Sequence, residues 1–356
     1  MSENNAMQND EIELIVGNSS ANFSGVTSTM LQVLSHQRSM INVRVMGKHF
    51  LTDPSVYISF WQTVKLCRKP LTNGKWRIFH ARRVDEMIQG VLLKYIFGAK
   101  IKLVFSSAAQ RKRSGLTVWL TRKMDGVIAV SNRSASYIEN DVDMVNPHGI
   151  QIDDYTPAPD KQKAWEALGF GGKYGIGILG RVRKQKGVHL FVRGCIETLQ
   201  KYPDYHGLVV GAISSSNQAF VDELKEEIEK AGLSDRITFT GELPFEQIPT
   251  IFSALSVVCA LSDNEGFGLT VLEAMSSGAA VLATEAGAWE DIIRPGVDGY
   301  IVPVNDQSAV NEKLNEILSD HNALSAMGQS GRERVEQQYS VQDEARRLVD
   351  YFRTLQ

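Results

Sequence analysis

Two carboxylates, Glu265 and Glu273, bracket a glycine-hinged loop, Glu265-Gly-Phe-Gly-Leu-Thr-Val-Leu-Glu273, that runs straight into a short helix. Gly266 and Gly268 let the backbone turn with its amides exposed. A helix starting near Leu269 or Thr270 then points free N–H groups and its positive dipole end at whatever lies in front. Such an end binds anions, phosphate most naturally. Glu265 stands at the mouth, where a carboxylate accepts hydrogen bonds from hydroxyls. Glu273, about one helical turn inside, reaches a second set of hydroxyls. A phosphate flanked by two polyols is the chemistry of a nucleotide sugar. An ordinary helix start with an acidic neighbour would give the same local pattern, so the loop needs corroboration.

A second segment supplies it. Gly180-Arg-Val-Arg-Lys-Gln-Lys-Gly187 follows an apolar strand and precedes a helix that begins near Val188. Arg181 and Lys186 can converge on one anion, the arginine as a planar fork and the lysine as a point charge. Their place at the carboxyl end of a strand favours phosphate binding over a solvated basic loop. Two other patterns compete. Gly175, Gly177 and Gly180 fit G-x-G-x-x-G, with Glu197 near the distance of a ribose-binding acid, but no helix opens directly after them as the dinucleotide fingerprint requires. Asp141 and Asp143 imitate a metal-binding pair, yet no histidine or third carboxylate stands near, and a polar turn explains them better. With no His/Cys cluster at metal spacing, no metal is expected.

These loops need a scaffold. At 356 residues the chain is too long for one ordinary core and suits two domains. Strand patterns at 11–18, 41–45, 77–81, 101–107, 126–131 and 144–147 alternate with helical ones, the first helix running over about 27–37. The second half repeats the rhythm with strands at 174–179, 207–210, 236–240, 256–261, 279–284 and 300–303, then a helical tail broken near Tyr339-Ser340. Alternation of this kind gives an α/β architecture of two doubly wound parallel sheets, Rossmann-like, with ligands at the carboxyl ends of the strands. Pro147, Pro157 and Pro159 mark a linker near 150–160. The expected plan is therefore a disordered polar N-terminus at 1–10, a first domain at 11–155 and a second at 156–340.

Composition excludes other classes. No apolar run approaches a membrane span, and the polar N-terminus is not a signal peptide. Cys67, Cys195 and Cys259 lie far apart in apolar surroundings, as buried thiols of a reducing compartment would, which places the protein in the cytoplasm. The net charge of −3 hides an asymmetry: between Arg38 and Arg133 stand 19 Lys or Arg against 4 Asp or Glu, an excess of +15.

Gly180-Arg181…Lys186-Gly187, the Glu265-x7-Glu273 motif and the strand end Thr240-Gly241 resemble, in order and over the whole chain, the retaining glycosyltransferases of family four. That family has the GT-B fold, two Rossmann-like domains facing across a cleft with a final helix, here 341–356, crossing back to the first. The resemblance implies catalytic roles for Arg181 and Lys186, which would hold the donor diphosphate, and for Glu265, which would contact the transferred sugar. It gives Glu273 to the ribose and the backbone of Phe267, Gly268, Leu269 and Thr270 to sugar and phosphate. Gly25, Gly180, Gly241 and Gly266 complete the donor-binding set. It also implies transfer without a metal or other cofactor, with retention by front-face attack, the leaving phosphate oxygen taking the acceptor's proton.

In one respect the chain departs from the family. Many members carry a histidine on the strand ending near Ser107, where this chain reads Val104-Phe-Ser-Ser-Ala-Ala-Gln-Arg111. His80 then either serves the acceptor side or is a satisfied core histidine. The segments Phe79-His-Ala-Arg-Arg83 and Phe105–Arg111 are similar to those of a narrower group, the mannosyltransferases that build the lipopolysaccharide inner core from GDP-mannose. This implies an anionic glycolipid acceptor, with His80, Arg82, Arg83, Ser107, Arg111 and Arg113 on its side. A UDP-sugar donor with another glycan acceptor stays open. So do two readings from other classes, a non-catalytic nucleotide-sugar binder and an NAD-type oxidoreductase. A two-carboxylate hydrolase does not fit, because Glu265 and Glu273 share one loop and helix.

Val56, Tyr57, Phe60, Trp61 and Val64 form an apolar stripe at helical spacing, followed by Lys65, Arg68 and Lys69. The pattern fits a helix in the membrane interface or a core helix with a solvated basic end. With the arginines it leads to the expectation of peripheral association with the inner face of the cytoplasmic membrane, and of no nucleic-acid partner.

Overall fold

A computed structural model describes residues 11–356; the disorder expected of 1–10 lies outside them. Its first unit holds seven parallel strands: β1 (Leu14–Gly17), β2 (Val43–Met46), β3 (Tyr57–Ile58), β4 (Arg77–Ala81), β5 (Ile101–Ser107), β6 (Gly126–Ala129) and β7 (Met144–Val145), in the order β3-β2-β1-β4-β5-β6-β7. The second holds six, also parallel: β8 (Tyr174–Leu179), β9 (Tyr205–Val210), β10 (Ile237–Gly241), β11 (Leu255–Ala260), β12 (Ala280–Thr284) and β13 (Gly299–Val302), ordered β10-β9-β8-β11-β12-β13. Both sheets are doubly wound and Rossmann-like. Helices cover both faces, so strands such as β4, β9 and β11 are buried along their whole length, Arg77, His80, His206 and Ser256 included.

The units divide at Gly149–Ile150 and Ser340–Val341. The first boundary therefore falls earlier than the expected break after residue 155. Residues 150–155 are fastened inside the second unit: the Ile150 amide donates to the Tyr339 carbonyl at 2.9 Å, and Ser276 Oγ donates to that of Tyr155 at 2.8 Å. Val341–Leu355 belongs to the first unit. It lays Ala345, Leu348, Val349 and Phe352 among Leu14, Val16, Val33, Val43 and Ile78, each fully buried side chain contributing about 1.5–3 kcal/mol.

The apolar stripe is not one helix. Only Phe60–Cys67 is α-helical, started by a capping box between Ser59 and Gln62, whereas Val56 ends a separate 3-10 turn (Pro54–Val56) and Tyr57 lies in the edge strand β3. Val56 and Val64 point into the core, and Tyr57 and Trp61 face solvent. The competing glycine pattern is also explained by packing. A Cβ on Gly175 would strike the Trp165 ring at 2.3 Å and one on Gly177 would strike Leu255 at 2.5 Å, so these glycines make room inside β8. Asp143 is a structural carboxylate that accepts from the Val127 amide at 2.7 Å.

Candidate active site

The order of the second sheet decides where chemistry can sit. The order in which strands are added reverses between β8 and β11, the parallel neighbours at its centre, and ligands of such sheets bind beyond the carboxyl ends at that point. The loop Gly180–Gly187 leaves β8 there and the loop holding Glu265 leaves β11. The two are joined directly, since the Asp263 amide donates to the Gln185 carbonyl at 2.9 Å. Gly187 permits this approach: it has φ +71°, and a Cβ on it would lie 2.1 Å from the Leu261 carbonyl oxygen.

Lys186 Nζ meets a carboxylate oxygen of Glu265, both side chains being mostly buried. Burial, then the Arg183 and Arg181 guanidinium groups, draws this ammonium down to about 8, against the opposite pull of the carboxylate it touches. Arg181 is exposed. Ser262 Oγ donates to Glu265 at 3.3 Å, and Thr284 Oγ1 holds the Ser262 carbonyl at 2.7 Å.

Gly268, at φ +86°, turns the chain into helix Leu269–Ser276, which no side chain caps. The Trp289 indole donates to the Gly268 carbonyl at 2.9 Å, and a Cβ on Gly268 would collide with that ring. Phe267 is buried, and its carbonyl accepts from the Ala288 amide at 3.0 Å. The other helix end is closed by two basic side chains, of which burial draws Lys161 down to about 7. Arg332 Nη1 donates to the Ser276 carbonyl at 2.7 Å and Lys161 Nζ to that of Ser277 at 2.8 Å, which complements the dipole and leaves its positive end toward Leu269 and Thr270. Glu273 lies on the first turns with its carboxyl pushed up to about 7 by burial, partly offset by the Tyr155 hydroxyl that donates to it at 3.2 Å. Gly180 and Gly241 end β8 and β10 at φ +133° and +73°, with open space where a side chain would stand. One uncapped helix start, two basic side chains and two carboxylates thus gather in one unit, an arrangement able to bind a diphosphate between hydroxyl-bearing groups.

Residues 160–334 match the family described as Glycosyl transferases group 1. The lipopolysaccharide core biosynthesis mannosyltransferase LpcC of Rhizobium leguminosarum bv. viciae is 36% identical over 346 residues, spanning 97% of either chain. The chain belongs to the group 1 glycosyl transferases. LpsB of Rhizobium meliloti (strain 1021), named as the same kind of enzyme, is 37% identical over 97% of this glycosyltransferase and 98% of its own length. Among solved structures, the C-terminal domain of LpcC from Francisella tularensis covers 54% of the chain at 38% identity, with a TM-score of 0.53. Anabaena HepE in complex with UDP covers 96% at 18% identity and a TM-score of 0.78, a likeness of fold.

In the first unit of the glycosyltransferase, several residues expected on the acceptor side have partners within the unit. His80 is fully buried, Nε2 2.7 Å from Ser106 Oγ and its ring edge-on to Phe352, and burial holds it well below the usual histidine range. The ring is buried in the core, with Nδ1 enclosed without a hydrogen-bond partner. Arg83 donates to Ser24 Oγ and Thr27 Oγ1, both at 2.9 Å, and to Glu86 at 3.3 Å, tying the start of helix Gly25–Gln37 to the end of β4. Gly25 opens that helix with nothing near its Cα hydrogens. Ser107 is buried and accepts from Arg113, whose Nε also donates to the Tyr137 carbonyl at 3.3 Å. Arg82 has Nη1 enclosed without a hydrogen-bond partner, and burial lowers its pKa despite Glu344 and Glu86. Arg111 is exposed. Among the described residues, no group of three or more His, Cys, Asp or Glu could hold a metal ion.

Tyr155, Arg183, Ser262, Thr284 and Trp289 were missed by sequence reasoning. Only Arg183 left a trace, as a third cation inside a loop already singled out.

Proposed function

We propose that this glycosyltransferase moves mannose from GDP-mannose to an anionic lipopolysaccharide inner-core acceptor, with retention at the anomeric carbon and without a metal. The observation that carries the reading is the meeting of Lys186 with Glu265 beside the uncapped start of helix Leu269–Ser276. It is supported by the near full-length likeness to two enzymes named as core mannosyltransferases. Arg181 and Lys186 hold the diphosphate. As the bond from the anomeric carbon to the phosphate oxygen breaks, negative charge grows on that oxygen, and the fixed cations and the helix start act most strongly at that stage. Glu265 accepts hydrogen bonds from hydroxyls of the transferred sugar, and Glu273 from those of the ribose. The acceptor oxygen bonds to the anomeric carbon on the same face, its proton passes to the leaving phosphate oxygen, and GDP departs. The two cations fill the place of a divalent ion.

Among the described residues no helix is long and apolar enough to cross a membrane. We place the enzyme peripherally on the inner face of the cytoplasmic membrane, where such an acceptor is held. A panel of nucleotide sugars, read as acceptor-dependent nucleotide release with the product's anomeric configuration assigned by NMR, tests the reading. GDP-mannose should lead the panel, the product should be the α-mannoside, and EDTA should leave turnover unchanged. Turnover with UDP-sugars alone, or inversion of configuration, would overturn the donor or the mechanism.

A further inference from the structure

The first unit carries a site that the donor chemistry does not use. Where β2 and the edge strand β3 meet helix Phe60–Cys67, a pocket of about 600 Å3 is lined by Arg44, Tyr57, Gln62, Lys65, Arg68 and Lys69. Four cations and no carboxylate line it. None of the four forms an ion pair among the described residues, and Arg44 spends only Nη1, on the Asn42 side chain and the Val43 carbonyl. Like charges gathered without compensation repel one another, and an anion relieves them.

What borders the pocket narrows the anion. Trp61, Lys65 and Arg68 fall on one face of the helix, so an indole that is 67% exposed leads into the cations. The Trp61 ring meets Phe97 edge-on at 5.5 Å, and Phe97 follows Tyr95 and Ile96, exposed by 55% and 70%. An aromatic rim of Tyr57 and Trp61 therefore adjoins a basic pocket, and the exposed Tyr95 and Ile96 precede the Phe97 that Trp61 touches. A soluble phosphate would use the cations and leave the rim in water. A bilayer uses both, taking indole and phenol rings at headgroup depth while its phosphates meet the lysines and arginines.

We propose that this pocket binds the phosphate headgroup of an anionic membrane lipid and, with its rim, seats the first unit on the bilayer. The inference rests on the lipid-acceptor reading above and assigns it a surface, one separate from the residues first expected to face the acceptor.

Flotation of the full chain with phosphatidylcholine vesicles, with and without phosphatidylglycerol, tests it. Wild type should float with the anionic vesicles only. Lys65→Gln with Arg68→Gln should weaken partition about 25-fold, two cations' share near an anionic surface. Trp61→Ser, checked for an unchanged melting temperature, should also weaken it. Lys201→Gln with Lys225→Gln, an equal charge change on exposed lysines of the second unit, should not. Mannose transfer to a vesicle-borne acceptor should fall with flotation, and transfer to a deacylated, soluble acceptor should not. The proposal is overturned if the Lys65/Arg68 variant floats like wild type, if both charge pairs matter equally, or if glycerol phosphate binds while anionic vesicles do not. Absence of transfer to either acceptor by the wild type would remove the acceptor reading alone, and flotation would still decide the pocket.

Discussion

Lys186 is a cation held in a setting that disfavours its charge, and that makes its role measurable. If Arg181 and Lys186 clamp the donor diphosphate, Arg181→Ala and Lys186→Ala should each lower turnover at least ~100-fold, as the loss of a group facing developing charge does. Because the lysine is drawn down to about 8, kcat/KM should fall as pH rises through that value, while kcat holds to higher pH once bound diphosphate restores the ammonium. A flat kcat/KM profile across that range would remove Lys186 from the clamp. Glu273 shows the opposite sign. Its pKa in the fold, about 7, lies above the ordinary glutamate value, so folding favours the protonated form. That contribution is complete below the unfolded pKa and is lost as pH rises through 7. Glu273→Gln should therefore melt higher than wild type near pH 8, by roughly 1–3 kcal/mol, and match it near pH 4, while GDP binds more weakly. The four charged donor-site candidates were legible because two short motifs carry them. Tyr155, Thr284 and Trp289 were not, since each reaches the site from a distant segment through tertiary packing. Nor were the partners of Arg83 and Ser107 legible, since Thr27 and Arg113 reach them through the fold rather than the local sequence.

At the level of elements, the site is two loops leaving adjacent strands, and their spacing depends on one glycine. Gly187→Ala would force a left-handed residue to carry a Cβ against the Leu261 carbonyl and should cost about 2–4 kcal/mol. Differential scanning fluorimetry should show the loss, and donor KM should rise with it as the two loops part. The strands that carry such loops could be read directly. Those expected at 77–81, 101–107 and 174–179 match β4, β5 and β8 to the residue, because a parallel strand covered on both faces is mostly apolar, with only isolated polar residues such as His80 and Lys102 inside it. β3 escaped because two edge residues leave too short a pattern, and the neighbouring apolar residues happen to recur at helical spacing. The linker escaped because prolines mark where a chain bends, whereas the boundary depends on which unit takes up the hydrogen bonds of Ile150 and Tyr155.

For the whole molecule, the two halves divide their labour by chemistry: the second unit holds every donor-site candidate except Gly25, and the first carries the basic excess and most of the large exposed apolar side chains. The first unit is also discontinuous in sequence. Phe352 is fully buried there, and Phe352→Ala should cost about 3–5 kcal/mol. The loss should appear as early melting of one transition, while GDP still stabilises the other. A calorimetric trace in which both transitions move together would refute this independence.

That discontinuity has a consequence for synthesis. A ribosome that has delivered residues 150–340 has made every strand of the second sheet and every helix that covers it. The first sheet, translated earlier, has one face covered only in part, by Met30, Val33 and Leu34 of helix Gly25–Gln37, because Leu348, Val349 and Phe352 have yet to be made. The half of the molecule begun first is thus the last to close, and it waits through the translation of the other half with the core around Val16, Val43 and Ile78 incomplete.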